Sequence, residues 1–340
     1  MIKENKSRMI TVVLRVVSAL CLILIACAAG RMLTMDRRVQ TGDAAYVLVA
    51  PYQWHGTGQG IAAADREFQS DTKLVTFAEL TEEAFVSELK HAAATEPDGI
   101  LAGGTLDTEA VKETLKEIRE TGIPIVLLEN DLGEACRDVY IGIDNTAAGR
   151  LAGEELAEAT GGSARIGVVV SDLDTPNQKE RLQGLKEALA AWPELEIAQV
   201  LECHLDEVEL VQKVSAFLEE EETADAICIL EGWGGNVLGP ILESQYAERE
   251  LDIVVFGSTL TTLDYVSRGF YFSTIAQDQV ATGYRAVEVL DKLQRGEDCS
   301  DSDIIYTDLQ CVRAAEAQER MTEQADGGFD LDWHYFGGQS

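Results

Sequence analysis

Short apolar runs alternate with helical patterns along most of this 340-residue chain. "AYVLVA" (45–50), "KLVTF" (73–77), "DGILAG" (98–103), "PIVLL" (124–128) and "DVYIG" (138–142) come first. "RIGVVV" (165–170), "LEIAQVL" (195–201), "AICIL" (226–230) and "DIVVF" (252–256) follow. Between them, 83–93 carries Phe85, Leu89 and Ala92, and 108–120 carries Val111, Leu115 and Ile118. Likewise 177–192 carries Leu182, Leu185 and Leu189, and 208–219 carries Val211, Val214 and Leu218. Apolar spacings of three and four predict helices. Continuous apolar runs fit strands buried on both faces. Their alternation predicts βαβ units on parallel sheets. So many units exceed a single small sheet, so the expectation is an α/β chain with two doubly wound parallel sheets. An eight-stranded barrel is the alternative.

The first forty residues are a separate segment. They hold 7 Lys/Arg against 2 Asp/Glu, leaving 20 basic and 58 acidic residues for the rest. So acidic a body repels nucleic acid and should stay clear of anionic lipid surfaces. After Lys3, Lys6 and Arg8 comes "MITVVLRVVSALCLILIACAAG" (9–30), broken only by Arg15 and long enough to span a bilayer. Basic residues ahead of it predict that the start stays inside and the body is exported. Leu24-Ile25-Ala26-Cys27 resembles a lipobox, which would make Cys27 a lipidated N-terminus. The other readings are an uncleaved signal anchor and a cleaved soluble form. All three put the body outside the cytoplasmic membrane, in the cell envelope.

Five cysteines fall in that body, an odd number without CxxC spacing, which is neither a disulfide framework nor a zinc site. Whether Cys299 and Cys311 pair is open at this point. The four histidines have no metal-ligand spacing. "HGTGQGIAAAD" (55–65) invites a dinucleotide reading, but its third glycine comes one residue early and "PYQWH" separates it from the strand. No nucleophile elbow, P-loop or HExxH motif occurs. Nothing marks a pair of carboxylates for hydrolysis. The expectation is no enzyme, no metal and no cofactor. After Gln310 the chain turns polar and acidic, ending in an aromatic cluster, Trp333 to Phe336, and reads as a poorly packed tail.

"YIGIDNTAAGRLAGEELAEATGG" (140–162) sets Asp144 and Asn145 at a strand-to-helix junction. Either residue could cap the helix. The same place is where open α/β sheets bind ligands.

With "PDGILAGG", "IPIVLLEN", "RLQGLKEAL" and "STIAQDQVATGYRAVEVL" in this order, residues 44–315 resemble type I periplasmic-binding-protein-like sugar-binding proteins of the ribose-binding kind. The repressor branch of that family begins with a DNA-binding helix-turn-helix. Here an apolar export segment stands in its place. The resemblance implies two lobes joined by a three-crossing hinge, with a sugar in the cleft. It divides the chain into a membrane segment and linker (1–40), an N-lobe (44–144 plus 278–305), a C-lobe (145–277 plus 306–318) and an acidic tail (319–340). It also implies site residues. Asn145 corresponds to a hinge-proximal Asn that bonds sugar hydroxyls, with Asp144 structural. Trp54 falls where the family stacks an aromatic ring on the sugar, with Tyr52 close by. Glu129 stands for a family Asp and Asn130 for a family Arg. Arg181 matches the Arg that donates to hydroxyls, and Gln277 a hinge-side polar ligand.

Two positions depart. "EGWGGN" puts Glu231, with Trp233 a further candidate, where the family has Asn-Asp. Gly257, with Ser258 beside it, replaces a family Asp. Two acids then face one arginine, which favours neutral or amino sugars over anionic ones. The implied partner is an ABC permease, to which the sugar is delivered. The alternative is a sensor, presenting the ligand to a histidine kinase ectodomain or a chemoreceptor.

Overall fold

The computed structural model describes residues 44–51, 55–77, 81–104, 106–220, 224–299 and 302–326. The apolar segment 9–30 with Cys27, the loop holding Tyr52 and Trp54, and the aromatic cluster near the C-terminus lie outside the described residues. Among the described residues no helix is long and apolar enough to cross a membrane.

The alternating pattern becomes two six-stranded sheets. In the N-lobe, β1 (Ala44–Pro51), β2 (Ser70–Phe77), β3 (Gly99–Gly103), β4 (Ile125–Leu128), β5 (Val139–Gly142) and β11 (Ile304–Tyr306) run in the order β11-β5-β4-β3-β1-β2. Every pairing in this sheet is parallel. In the C-lobe, β6 (Ser163–Val170), β7 (Glu194–Glu202), β8 (Ala226–Ile229), β9 (Asp252–Phe256), β10 (Ser273–Gln277) and β12 (Leu309–Val312) run β12-β10-β9-β8-β6-β7. Only β12 is antiparallel to its neighbour. The central strands are fully buried, as runs of Val, Ile and Leu covered on both faces should be. Two separate open sheets rule out the barrel alternative. Strand order reverses between β1 and β3 and again between β6 and β8, the crevices where such sheets bind ligands.

Helices α1 (His55–Phe68), α2 (Glu82–Ala94), α3 (Glu109–Glu120) and α9 (Gln279–Gln294) cover the N-lobe sheet. The C-lobe carries α4 (Asn145–Ala159), α5 (Pro176–Leu189), α6 (Glu207–Glu220), α7 (Gly234–Gln245), α8 (Leu260–Ser267) and α10 (Ala314–Asp326). The sequence reading ends the C-lobe at 318. The helix α10 instead continues to Asp326, with Ala317 buried and Met321 against the C-lobe core. Cys299 and Cys311 do not pair; the five described cysteines are free thiols.

The chain passes between lobes at 142–145, 277–279 and 306–309, and these crossings are bonded to one another. The Thr307 N–H donates to the Gly142 carbonyl (2.7 Å) and the Asp278 N–H to the Asp308 carbonyl (3.2 Å). The Thr282 and Thr307 hydroxyls lie 3.2 Å apart.

Gly60 of "HGTGQG" has a packing role. A Cβ on Gly60 would fall on the Val280 carbonyl oxygen, and one on Gly283 on that of Thr57, so α1 and α9 touch backbone to backbone. The C-lobe repeats the device. A Cβ on Gly149 would fall on the Arg181 carbonyl oxygen and one on Gly184 on that of Thr146, clamping α4 to α5. Gly58, in the same helix as Gly60, has open space beside it. Gly60→Ala should therefore destabilise by about 1–3 kcal/mol through overpacking. Gly58→Ala should be neutral or stabilising by up to about 1 kcal/mol, because helical glycine costs backbone entropy. Thermal melts of the two variants check this, and equal effects would contradict the backbone contact.

Candidate ligand site between the lobes

The N-lobe side of the site begins where β4 ends. Glu129 adopts φ +66°, a left-handed conformation that a non-glycine residue holds only when its surroundings enforce it. Here the enforcement is visible. The Tyr140 hydroxyl lies under the turn, 3.2 Å from the Glu129 carbonyl and 3.3 Å from that of Ile143. Gly142 makes room for it, since a Cβ there would overlap the hydroxyl. Arg137, 3% exposed, grips Asp131 with two bonds (2.7 and 2.9 Å) and reaches the Asp303 carbonyl at 2.7 Å. The turn carrying Glu129 and Asn130 is thus fastened from below.

The C-lobe side is built on the α4–α5 clamp. Asp144 caps α4, its carboxylate accepting from the Ala147 N–H at 2.8 Å, which leaves Asn145 free for another task. Asn145 is buried, and its side-chain oxygen accepts from Arg181 Nε at 2.9 Å. Its amide nitrogen makes a long bond, 3.5 Å, to the Glu129 carbonyl. Arg181, 4% exposed, also donates from Nη1 to the Leu230 carbonyl at 2.9 Å, and its guanidinium lies 4.5 Å from the centre of the Phe256 ring. Among the described residues nothing bonds Nη2. Burial pulls the Arg181 pKa down, and Glu231 and then Glu129 pull it back up. Neither carboxylate is in ion-pair contact with it, so space separates the charges.

Gln277, at the end of β10, donates from Nε2 to Glu129 Oε1 at 2.9 Å. Glu231 follows β8 and folds one oxygen onto the Gly232 N–H at 2.8 Å. The structure therefore brings Glu129, Asn145, Arg181, Glu231 and Gln277 together at the interlobe crevice. Asn130 is close by but 2% exposed, and its side-chain oxygen accepts from the Asn177 N–H of α5 at 2.9 Å. This bond joins it to the backbone of the opposite lobe. Trp233 begins α7 and packs on the C-lobe core, with its indole N–H buried and unpartnered. Ser258 is half-buried beside Gly257. Gly257 has φ +97°, and a Cβ there would overlap the Gly232 carbonyl oxygen. An acid cannot occupy that position while the two loops touch. Tyr52 and Trp54 lie outside the described residues.

Sequence reasoning missed Tyr140, Phe256 and Asn177. The Asn177 side-chain oxygen is buried and unpartnered. It sits four residues before Arg181, so helical spacing alone puts both on one face.

Burial raises the pKa of the Glu129 carboxyl, the repulsion of Glu231 adds to this, and Arg181 and Gln277 oppose it. The folded state therefore holds this proton to higher pH than the unfolded chain. Its stabilising contribution is complete below the unfolded value, about 4.3, and is lost as pH rises through the folded one. Glu129→Gln removes that loss. The variant should melt above the wild type at pH 7 and alongside it at pH 4. A lower melting temperature at pH 7 would mean that attraction to Arg181 outweighs burial.

The comparisons bear on this geometry. The family model described as a periplasmic binding protein domain matches residues 46–298. The ribose import binding protein RbsB of Escherichia coli (strain K12) is 24% identical over 199 residues, 58% of this chain and 66% of that protein. The chain thus spans slightly less than two thirds of that relative's length. The crystal structure of GanP, a glucose-galactose binding protein from Geobacillus stearothermophilus, is 26% identical with TM-score 0.75, covering 81% of this chain and 98% of that one. A chain of the XylFII-LytSN complex shares the fold at 20% identity and TM-score 0.74, covering 81% and 99%. The chain belongs to the periplasmic binding protein domain family.

Proposed function

We propose that this protein works on the outer side of the cytoplasmic membrane, closing two lobes around a neutral or amino sugar and delivering it to an ABC importer. The observation that carries the reading is Arg181. It is a buried guanidinium with two donors committed to the fold and Nη2 left without a partner among the described residues. Glu129 and Glu231 lie near it without ion-pair contact. A charged donor left unengaged at the crevice is placed to meet something polar. A sugar offers hydroxyls that accept from an arginine and donate to carboxylates at the same time. The relatives named as ribose import and glucose-galactose binding proteins support sugar as the class and import as the purpose.

In this reading Asn145 and Gln277 line the cleft from the C-lobe, Trp54 and Tyr52 offer aromatic faces from the N-lobe, and Trp233 and Ser258 lie at its edge. An aromatic plane suits the C–H face of a sugar ring. The N-terminal apolar run, as a signal anchor or through a lipid on Cys27, would hold the protein at the membrane. The lobe boundaries of the sequence reading at 144–145 and 277–278 belong to the same proposal, while the third falls after Tyr306, which pairs with Gly142 in the N-lobe sheet.

A second reading has a specific support. A fold neighbour was solved as the XylFII-LytSN complex, so this architecture also presents itself to protein partners. A sensor that shows its bound ligand to a kinase ectodomain would use the same cleft.

Calorimetry tests the proposal. Neutral or amino sugars should bind more tightly than uronic acids or sugar phosphates, because two acids surround one arginine. Arg181→Ala should weaken the best ligand by about tenfold to a hundredfold, the range for hydrogen bonds to a charged group. Tightest binding by an anionic sugar, or unchanged affinity in the Arg181 variant, would overturn it.

A further inference from the structure

The start of α5 is capped from the wrong lobe. Thr175 occupies its N-cap position but makes no side-chain cap bond, since its hydroxyl donates to the Asp172 carbonyl at 2.6 Å. Pro176 has no N–H to offer. The Asn177 N–H is the next donor, and its partner is Asn130 Oδ1 at 2.9 Å, 47 residues earlier and in the N-lobe. Both ends of this bond are rigidly held. The Asn130 N–H donates to the Leu128 carbonyl at 2.8 Å, and the next residue, Asp131, is gripped by Arg137. On the other side, α5 is clamped to α4 through Gly149 and Gly184. Arg181 lies one turn beyond Asn177 on that helix.

We infer that Asn130 is an interlobe latch, a positioning residue that holds α5 and Arg181 against the N-lobe before any ligand arrives. Its side-chain oxygen is held by the opposite lobe's backbone. The bond exists only when the lobes are together, so it biases the free protein towards closure. One helix cap is worth roughly a tenfold shift in such a two-state ratio. Apparent ligand affinity scales with the fraction already in the competent state. The inference goes beyond the sugar reading and stands whatever the ligand is.

The test uses the full chain without ligand, in detergent. Donor and acceptor dyes are attached through unnatural amino acids at exposed Lys90 in the N-lobe and exposed Glu220 in the C-lobe. Single-molecule energy transfer then reports the distribution of lobe separations. Asn130→Ala should shift the open-to-closed ratio of the free protein about tenfold towards open. Asn130→Leu, which keeps the volume but not the acceptor, should do the same and serves if the alanine variant fails to fold. Asn130→Asp keeps an acceptor at the helix N-terminus and should retain the wild-type distribution. Unchanged distributions in the alanine and leucine variants would overturn the latch. So would an aspartate variant as open as those two. Neither arm needs a ligand, so failure here leaves the sugar proposal standing.

Discussion

A guanidinium buried between two lobes sets the terms for the rest of this structure. Arg181 is 4% exposed, and taking most of such a charge out of water costs several kcal/mol unless its donors are met. The fold meets two of them, with the Asn145 side chain and the Leu230 carbonyl, and lays the cation over the Phe256 ring. These partners come from three places in the chain. Asn145 opens α4, Leu230 follows β8, and Phe256 ends β9. All three stand at the carboxyl end of the C-lobe sheet, where a doubly wound sheet collects its loops. The negative charges of Glu129 and Glu231 lower the cost further without closing onto the arginine.

The clamp of glycines is what makes this placement work. Gly149 lets the Arg181 backbone press against α4, and Asn145 lies one helical turn before Gly149. The close approach therefore brings the Asn145 side chain within 2.9 Å of Arg181 Nε. The N-lobe uses the same device between α1 and α9, where the chain returns from the second crossing. A shared way of packing helices thus fixes both sides of the hinge. Motion is left to the bonded crossings, and hinge closure is the change that such an arrangement permits.

Much of this was legible in the sequence. Apolar runs separated by helical spacing specified the strands, because a strand covered on both faces has little choice but Val, Ile and Leu. The edge strands were harder. β2 is largely exposed and β11 spans three residues, so neither carries a long apolar signal. The Asp144-Asn145 pair divided as its chemistry suggests, one residue capping and the other buried against a charge. That Arg181 and Gln277 stand near the interlobe crevice was readable from resemblance. The packing role of Gly60 was not readable, because it needed a partner helix more than 200 residues away. The Asn130–Asn177 contact was illegible for a similar reason. It joins two lobes, and no local pattern announces a helix capped from elsewhere. The same holds for Tyr140, whose strand position reads as core while its hydroxyl holds up the Glu129 turn.

In the proposed function Arg181 is completed by a bound ligand. A crystal structure of the protein purified with the ligand it carries tests this most directly. The predicted result is a sugar oxygen within hydrogen-bond distance, about 2.7–3.2 Å, of Arg181 Nη2, with the ring between that arginine and the Glu129 and Glu231 carboxylates. A structure in which Nη2 bonds only to protein, with the ligand seated outside the interlobe crevice, would contradict it.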